Sequence, residues 1–154
     1  MMLIEFALAV PDPSPILVCD RRLLGQALTN VVKNGVEAIQ QKREETRRRK
    51  PGPDQVAIAI REAGSKVSIE IGDTGIGLPP QRAQMTEPYM TTRAKGTGLG
   101  LAIVKKIVEE HFGQIEFEDG AGGGSVVRMI FDSQTLAQLA GTAAEHSEEN
   151  IGTS

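Results

Sequence analysis

The sequence has little of several things that would each define a class of protein. A single cysteine, Cys19, excludes an internal disulfide framework and suits a reducing compartment. There is no tryptophan and only 3% of residues are aromatic, so the core must be aliphatic. The 17 basic and 20 acidic residues give a net charge of −3, which predicts no affinity for nucleic acid or an anionic membrane. No apolar run approaches the roughly 20 residues of a membrane span, and the N-terminus lacks the form of a signal peptide. We expect one cytoplasmic α/β domain.

Strand and helix patterns alternate along the 154 residues. Alternation of apolar residues predicts a half-buried strand at Ile4–Val10 and a short strand at Ile16–Cys19, with Cys19 buried at its end. The same pattern predicts strands at Val56–Ile60 and Val67–Ile71 and a last hairpin of Ile115–Glu118 and Val126–Phe131. Helical spacing predicts one helix from an Asp20 N-cap to about Arg48, and a second that begins near Gly98 and ends at a Gly113 C-cap. Residues 72–97 have no sustained periodicity and predict a functional loop or a disordered segment.

Three glycines at alternate positions open directly into the second helix. The run is Gly96-Thr97-Gly98-Leu99-Gly100-Leu101. Glycine is unfavourable in helices, and a helix start so rich in it suits close approach of an anion to free backbone N–H groups. The run is neither a P-loop nor a G-x-G-x-x-G fingerprint. Alone it indicates either a phosphate ligand or a tight turn.

The first helix carries polar residues on one face and apolar residues on the other. The polar face comprises Gln26, Asn30, Lys33, Asn34, Glu37 and Gln41. A solvated face explains the pattern but not the choice of asparagine, which is a mediocre helix former, at two positions one turn apart. Two stacked amides also suit contacts to a polyphosphate and Mg²⁺. Both interpretations remain open on the spacing alone.

A third feature follows the strand that ends at Ile71. The segment Asp73-Thr74-Gly75-Ile76-Gly77 is typical of a turn. It also suits a carboxylate at the mouth of an apolar pocket, where it accepts a hydrogen bond from an amine such as that of adenine. The glycines would then leave room for the base.

Taken together, these features resemble three boxes of the GHKL (Bergerat) ATP-binding fold. Asn30 and Asn34 resemble the N box, Asp73-x-Gly75-x-Gly77 the G1 box and Gly96-x-Gly98-x-Gly100 the G2 box. The segment Glu87-Pro88-Tyr89-Met90-Thr91-Thr92-Arg93 resembles the lid of sensor histidine kinases of the nitrogen-regulation type, and Gly122-Gly123-Gly124-Ser125 resembles the G3 region. The resemblance covers about residues 3–132. It implies a two-layer α/β sandwich with a mixed sheet of about five strands and helices on one face. It divides the chain into a catalytic domain at 1–133, with an ATP lid at about 79–97, and a flexible polar tail at 134–154, where the pattern itself predicts a weak helix or a frayed end.

The resemblance also assigns roles to the matching positions. Asp73 would recognise the adenine amino group, with Gly75 and Gly77 shaping the pocket, and Asn34 would bind Mg²⁺ with Asn30 near the phosphates. The remaining ATP-binding residues that it implies are Thr92, Arg93, Lys95, Gly96, Gly98, Leu99, Gly100, Leu101 and Ser125. Many relatives carry a basic residue where this chain has Glu37, so no phosphate contact is expected there.

The histidines limit the implied function. The chain has only His111, which closes the second helix in a favourable interaction with its dipole, and His146 in the polar tail. The resemblance therefore implies a domain that binds Mg-ATP and phosphorylates a histidine on a separate dimerisation domain, which in turn serves a response regulator; the parent protein could be anchored in the inner membrane. The alternatives are a protein-serine kinase that inhibits a sigma factor and a nucleotide-responsive binding module without transfer activity.

Overall fold

The structure, a computed structural model, describes residues 3–46, 53–88 and 100–151. Its strands are β1 (Glu5–Ala9), β2 (Gln55–Ala63), β3 (Lys66–Asp73), β4 (Gln114–Asp119) and β5 (Ser125–Asp132). Its helices are α1 (Arg21–Glu45), α2 (Gly100–Glu110) and α3 (Ser133–Ile151), with a single 3₁₀ turn at Arg82–Gln84. Among these residues no helix is both long and apolar enough to cross a membrane.

The five strands form one mixed sheet in the order β1-β2-β3-β5-β4. β1 runs parallel to β2, whereas the β2–β3, β3–β5 and β4–β5 pairs are antiparallel. In the antiparallel register Asp73 at the end of β3 lies opposite Ser125 at the start of β5. The sheet confirms the predicted mixed sheet of five strands.

Helices α1 and α2 cover one face of the sheet, and the core lies between these two layers. Every second residue of the inner strands faces this core, as the period of two requires. The fully buried side chains with the largest volumes are Phe131, Ile39, Ile71, Met129, Val56, Val104 and Val108. The core is therefore aliphatic apart from one phenylalanine, as the composition predicts.

The first two predicted strands are wrong in part. β1 forms, but its apolar side chains are not buried: Phe6 is 61% and Leu8 70% exposed. β1 is one of the two edge strands. Because α1 packs on β2 and β3 and α2 on β4, the helical layer does not extend over β1. Ile16–Cys19 is not a strand, and Cys19 is half-buried beside the start of α1 rather than at a strand end. Alternation predicts an extended backbone there, but it does not supply a neighbouring strand for a ladder.

The ends of α1 and α2 follow from local hydrogen bonds. The carboxylate of Asp20 accepts from the backbone N–H groups of Arg22 and Leu23, which confirms it as the N-cap of α1. α1 ends at Glu45, three residues before the predicted end.

At the end of α2, Phe112 and not the expected Gly113 takes the left-handed conformation, with φ of 56°. The N–H of Gly113 bonds the carbonyl of Val108, and that of Phe112 bonds the carbonyl of Glu109, which is the Schellman pattern. Gly113 is needed for another reason, because a Cβ there would lie 2.6 Å from the carbonyl oxygen of Ile130.

The last segment forms a helix, the first of the two predicted alternatives. Asp132 accepts a hydrogen bond from the N–H of Thr135, and this bond is the main cause of a lowered pKa of its carboxyl group. The hydroxyl of Ser65 lowers that pKa further, whereas burial acts to raise it. Leu136 is buried against the core, so the first turns of α3 pack on the domain.

The opposite face of the sheet carries a cluster of charges around Arg128. Its guanidinium donates to Glu70 at 2.9 Å, to Glu116 at 3.2 Å and to both oxygens of Glu118 at 2.6 and 3.2 Å. Burial tends to raise the pKa of Glu70, but the hydrogen bonds from Arg128 and Arg61 outweigh it and lower that pKa. Hydrogen bonding to Arg128 also lowers the pKa of Glu118. These pairs hold β3, β4 and β5 together on the face that the helices do not cover.

Candidate functional site

The two asparagines of α1 lie beside the first turn of α2. Both are half-buried. Nδ2 of Asn30 lies 3.5 Å from the carbonyl oxygen of Gly100, and a Cβ added to Gly100 would lie 3.9 Å from Oδ1 of Asn34. The fold therefore brings together Asn30, Asn34 and Gly100, with Leu101 next along α2, from two distant parts of the chain.

This corner offers the chemistry that a polyphosphate needs. The first N–H groups of a helix have no partner within the helix, and they lie at the positive end of its dipole. In the described ranges no three His, Cys, Asp or Glu side chains are grouped to hold a metal ion, so no carboxylate cage is present there. The amide oxygen of Asn34 fits Mg²⁺, which takes few protein ligands and completes its shell with water and phosphate oxygens.

Asp73 occupies a fixed position at the end of β3. Its Oδ1 accepts from the N–H of Gly75 at 2.8 Å, and its Oδ2 accepts from the hydroxyl of Ser125 at 2.8 Å. Ser125 is 9% exposed, so this second bond is shielded from water. The two contacts orient the carboxylate between the G1-like segment at 73–77 and the G3-like segment at 122–125.

Glycines let α1 approach Asp73 closely. A Cβ added to buried Gly35 would lie 3.2 Å from Cβ of Asp73. A Cβ added to Gly75 would lie 2.5 Å from backbone and side-chain atoms of Ala38, whose carbonyl accepts from the N–H of Ile76 at 3.2 Å. Packing on α1 is therefore by itself a sufficient reason for the glycine at 75, and room for a base remains a prediction.

Two further glycines require a positive φ. Gly77 has φ of 87° and Gly124 has φ of 77°. A Cβ on Gly124 would lie 1.9 Å from the carbonyl oxygen of Asp73, so only glycine allows the chain to enter β5 beside that residue. These positions fit the G1 and G3 boxes and connect them to each other.

Several residues of this region had not been singled out from the sequence. Nζ of Lys42 donates to the carbonyl oxygen of Thr74 at 3.1 Å, and Oγ1 of Thr74 accepts from the N–H of Gln55 at 3.0 Å. Lys42 lies seven residues after Gly35 and so on the same helical face, which was the available signal. These contacts fix the turn that follows Asp73 to α1 and to the start of β2.

The predicted lid is only partly described. Thr92, Arg93, Lys95, Gly96, Gly98 and Leu99 lie outside the described residues. At the start of the lid, Arg82 of the 3₁₀ turn donates to both carboxylate oxygens of Asp119 at 2.7 Å, beside the β4–β5 connection. This pair ties the described part of the lid to the G3-like side of the site.

His111 is not placed as a phosphate acceptor. It is 8% exposed, Nδ1 lies 2.8 Å from the carbonyl oxygen of Ile107, and Nε2 lies 3.1 Å from the backbone nitrogen of Asp20. An N–H group can only donate, so Nε2 is the acceptor and Nδ1 is the donor to Ile107. The favourable interaction expected at the helix end takes the form of the bond to the carbonyl of Ile107, and the ring in addition joins two helix ends.

Comparison with known proteins decides the family. Residues 19–135 match the family described as histidine kinase-, DNA gyrase B- and HSP90-like ATPase. The chain belongs to this ATPase family. The matched range contains Asn30, Asn34, Asp73 and Ser125.

Two relatives of the chain are a nitrogen regulation protein and a kinase. The chain is 43% identical over 133 residues to nitrogen regulation protein NtrY of Azorhizobium caulinodans, covering 85% of this chain and 17% of that protein. It is 35% identical over 112 residues to sporulation kinase C of Bacillus subtilis, covering 72% of this chain and 24% of that protein. The chain thus spans less than a quarter of the length of either relative.

Solved structures have the same fold. The mycobacterial sensor histidine kinase MprB superposes with a TM-score of 0.69 at 27% identity, over 84% of this chain and 81% of that one. Full-length ShkA in complex with AMPPNP superposes with a TM-score of 0.68 at 27% identity, over 83% of this chain and 25% of that one. The ATPase family, the two-layer fold and the likeness to histidine kinase catalytic domains agree with the sequence-based expectation.

Proposed function

We propose that the chain is the ATP-binding catalytic domain of a sensor histidine kinase of the nitrogen-regulation type. It binds Mg-ATP and supplies the γ-phosphoryl group to a histidine on a separate dimerisation domain. The observation that carries the proposal is the placement of Asp73, oriented by Gly75 and Ser125, in the same fold as an Asn30–Asn34 pair that abuts the start of α2. The names of the relatives, a nitrogen regulation protein and a kinase, support it.

The base end of the site is built around a carboxylate that can only accept hydrogen bonds. Asp73 would accept from the exocyclic amine of adenine, and a base with a carbonyl at that position would meet a second acceptor instead. Its two contacts hold the carboxylate oxygens in place before the ligand arrives. Pre-orientation of this kind favours affinity because less freedom is lost on binding.

The phosphate end of the site supplies neutral donors and acceptors. The N–H groups of Gly100 and Leu101 at the start of α2 would donate to phosphate oxygens, joined by the predicted cations Arg93 and Lys95 of the lid. Asn34 would hold Mg²⁺, which neutralises charge on the phosphates when bound. The side-chain amide of Asn30 lies against the carbonyl of Gly100 and would help to hold the start of α2 beside α1.

In phosphoryl transfer the protein contributes mainly by positioning the reactants and by stabilising the charge on the phosphates. An imidazole nitrogen of the partner domain attacks the γ-phosphorus, a new N–P bond forms, and the bond to the β–γ bridging oxygen breaks to release ADP. The residues of this chain hold the donor in line with that nitrogen. None of them forms a covalent intermediate.

The partners follow from this chemistry. The dimerisation domain of the parent kinase brings the acceptor histidine, and the phosphohistidine then serves a response regulator. The proposed location of this domain is the cytoplasm, where ATP is found, with the parent protein anchored in the inner membrane.

The test is a transfer reaction with γ-labelled ATP, using the domain alone and with a dimerisation fragment of the parent kinase. Acid-labile label on the fragment is the expected result, since phosphohistidine is lost in acid. An Asp73→Asn variant should transfer less label under the same conditions, and a fragment without its acceptor histidine should take up none.

Other outcomes would replace the proposal. Acid-stable label on a protein partner would identify a serine kinase of the same fold. Binding of ATP with no transfer to any fragment would identify a nucleotide-responsive module. Failure to bind ATP would contradict all three functions.

A further inference from the structure

His111 lies at the end of α2 and uses both ring nitrogens. Nδ1 donates to the carbonyl of Ile107, one turn earlier in the same helix, at 2.8 Å. Nε2 accepts from the backbone N–H of Asp20 at 3.1 Å, from a residue 91 positions away. The ring also stands edge-on to Phe131 of β5, with ring centroids 6.4 Å apart and planes at 88°. A buried ring with these three contacts has one position and one tautomer.

The partner of Nε2 is the residue that begins α1. Asp20 caps that helix by accepting from the N–H groups of Arg22 and Leu23 at 3.0 Å each, while its own N–H points to the histidine. His111 therefore fastens the end of α2 to the start of α1.

A second polar contact joins α1 to the opposite end of α2, between Asn30 and Gly100. Asn30 lies ten residues after Asp20 on α1, and Gly100 lies eleven residues before His111 on α2. At about 1.5 Å rise per residue these stretches are about 15 and 16 Å long, so α1 and α2 run antiparallel between two polar contacts. The Asn30–Gly100 contact is at the phosphate end of the candidate site.

The core between the two contacts is apolar, with Ala27 and Val31 of α1 and Val104, Ile107 and Val108 of α2 buried. The interlocking of these side chains limits how far one helix slides along the other, but apolar contacts have no preferred direction and tolerate small shifts. A hydrogen bond has a direction and a narrow range of lengths. The polar contacts at the ends therefore refine the register that core packing allows, with the shorter one at His111 being the more restrictive.

We propose that His111 is a positioning residue for the phosphate end of the nucleotide site. By holding the end of α2 at the start of α1, it sets where Gly100 and Leu101 present their N–H groups relative to Asn34. The inference rests on the proposed function and assigns to the site a residue that lies a whole helix length from it.

The test compares two ligands in three variants. His111→Phe keeps a ring beside Phe131 and removes both hydrogen bonds; His111→Gln keeps one donor and one acceptor on a small planar group. Glu110→Gln is the matched control, because Glu110 is exposed at the same helix end. Affinities for Mg-ATP and for adenosine are measured by calorimetry, and folding is checked by thermal unfolding.

We expect His111→Phe to lower the affinity for Mg-ATP but not the affinity for adenosine. His111→Phe weakens Mg-ATP binding by roughly tenfold, the size of effect that one lost hydrogen bond supports, and leaves adenosine affinity within about twofold, because adenosine depends on Asp73. His111→Gln recovers most of the Mg-ATP affinity, and Glu110→Gln changes neither ligand.

Two results overturn the inference. Equal weakening of both ligands would make His111 a general structural residue, and unchanged Mg-ATP affinity would remove it from the site altogether. If the Phe variant does not fold, His111→Asn replaces it, since the shorter amide can reach Ile107 but not Asp20. A wild-type domain that binds no Mg-ATP contradicts the proposed function itself, which separates that failure from this one.

Discussion

Ser125 donates a hydrogen bond of 2.8 Å to Asp73 from the neighbouring strand, directly opposite it in the sheet register. The contact joins the G1-like turn to the G3-like segment. It therefore makes the orientation of the candidate adenine-binding carboxylate depend on the β4–β5 connection, which is far away in sequence.

Removing the Ser125 hydroxyl should weaken ATP binding without unfolding the domain. Ser125→Ala takes one donor from Asp73 but leaves the bond from Gly75, so we expect ATP affinity to fall by about five- to tenfold. Ser68→Ala is the matched control, because Ser68 lies on the open face of β3 and pairs with Ile130. Equal affinity of the two variants in calorimetry would contradict the role given to Ser125.

Adding a methyl group at residue 75 should destabilise the domain. A Cβ there would lie 2.5 Å from Ala38, and such overpacking costs about 1–3 kcal/mol of unfolding free energy. Gly122→Ala is the control, since nothing lies within 4 Å of its added Cβ. The urea concentration at the midpoint of unfolding should fall for Gly75→Ala and stay at the wild-type value for Gly122→Ala. Equal midpoints would show that the turn does not pack on α1 as described.

The Arg128 cluster predicts a dependence of stability on pH. The pKa of Glu70 is lowered in the folded state, so its contribution is present above its unfolded pKa of about 4.3 and is lost as pH falls through the lower folded value. Arg128→Met should lower the free energy of unfolding by about 2 kcal/mol at pH 7, because hydrogen bonds between charged groups contribute about that much and the carboxylates lose their donor.

The difference between wild type and Arg128→Met should shrink as the pH falls below about 4. Chemical unfolding at several pH values measures it. A difference that stays constant down to acid pH would show that packing of the long side chain, and not its charge, stabilises the sheet.

Asn34 should govern the response to magnesium more than the affinity for the base. We expect Asn34→Ala to reduce the gain in ATP affinity on adding Mg²⁺ by roughly tenfold and to leave adenosine binding unchanged. Gln40→Ala, on the exposed side of α1, is the control. An unchanged magnesium effect would remove Asn34 from the metal site.

The pattern of the sequence predicted the inner strands and α1 because these elements bury one face, and burial leaves a periodic signal. It predicted the strand β1 but not the exposure of its side chains, and it was wrong about a strand at Ile16–Cys19. Alternation marks an extended backbone but does not say which helix or strand covers it. Phe6 and Leu8 are apolar, yet they lie beyond the helical layer.

The site was predicted where a residue type is unusual for its element, as with two asparagines in a helix or an aspartate between glycines. Gly35 and Lys42 were missed because a small residue or a lysine is ordinary in a helix and acquires meaning only from what it contacts. The same holds for His111, whose role depends on Asp20 being brought to it by the fold.

The most direct test of the account is calorimetric titration of Mg-ATP into the wild-type domain and Asp73→Asn, with Glu62→Gln as an exposed control. The amide keeps the shape but loses the charge, and hydrogen bonds to charged groups contribute about 1.5–3 kcal/mol, so affinity should fall by about ten- to a hundredfold. The control should match wild type. An Asp73→Asn domain that folds and binds Mg-ATP as tightly as wild type would contradict the account.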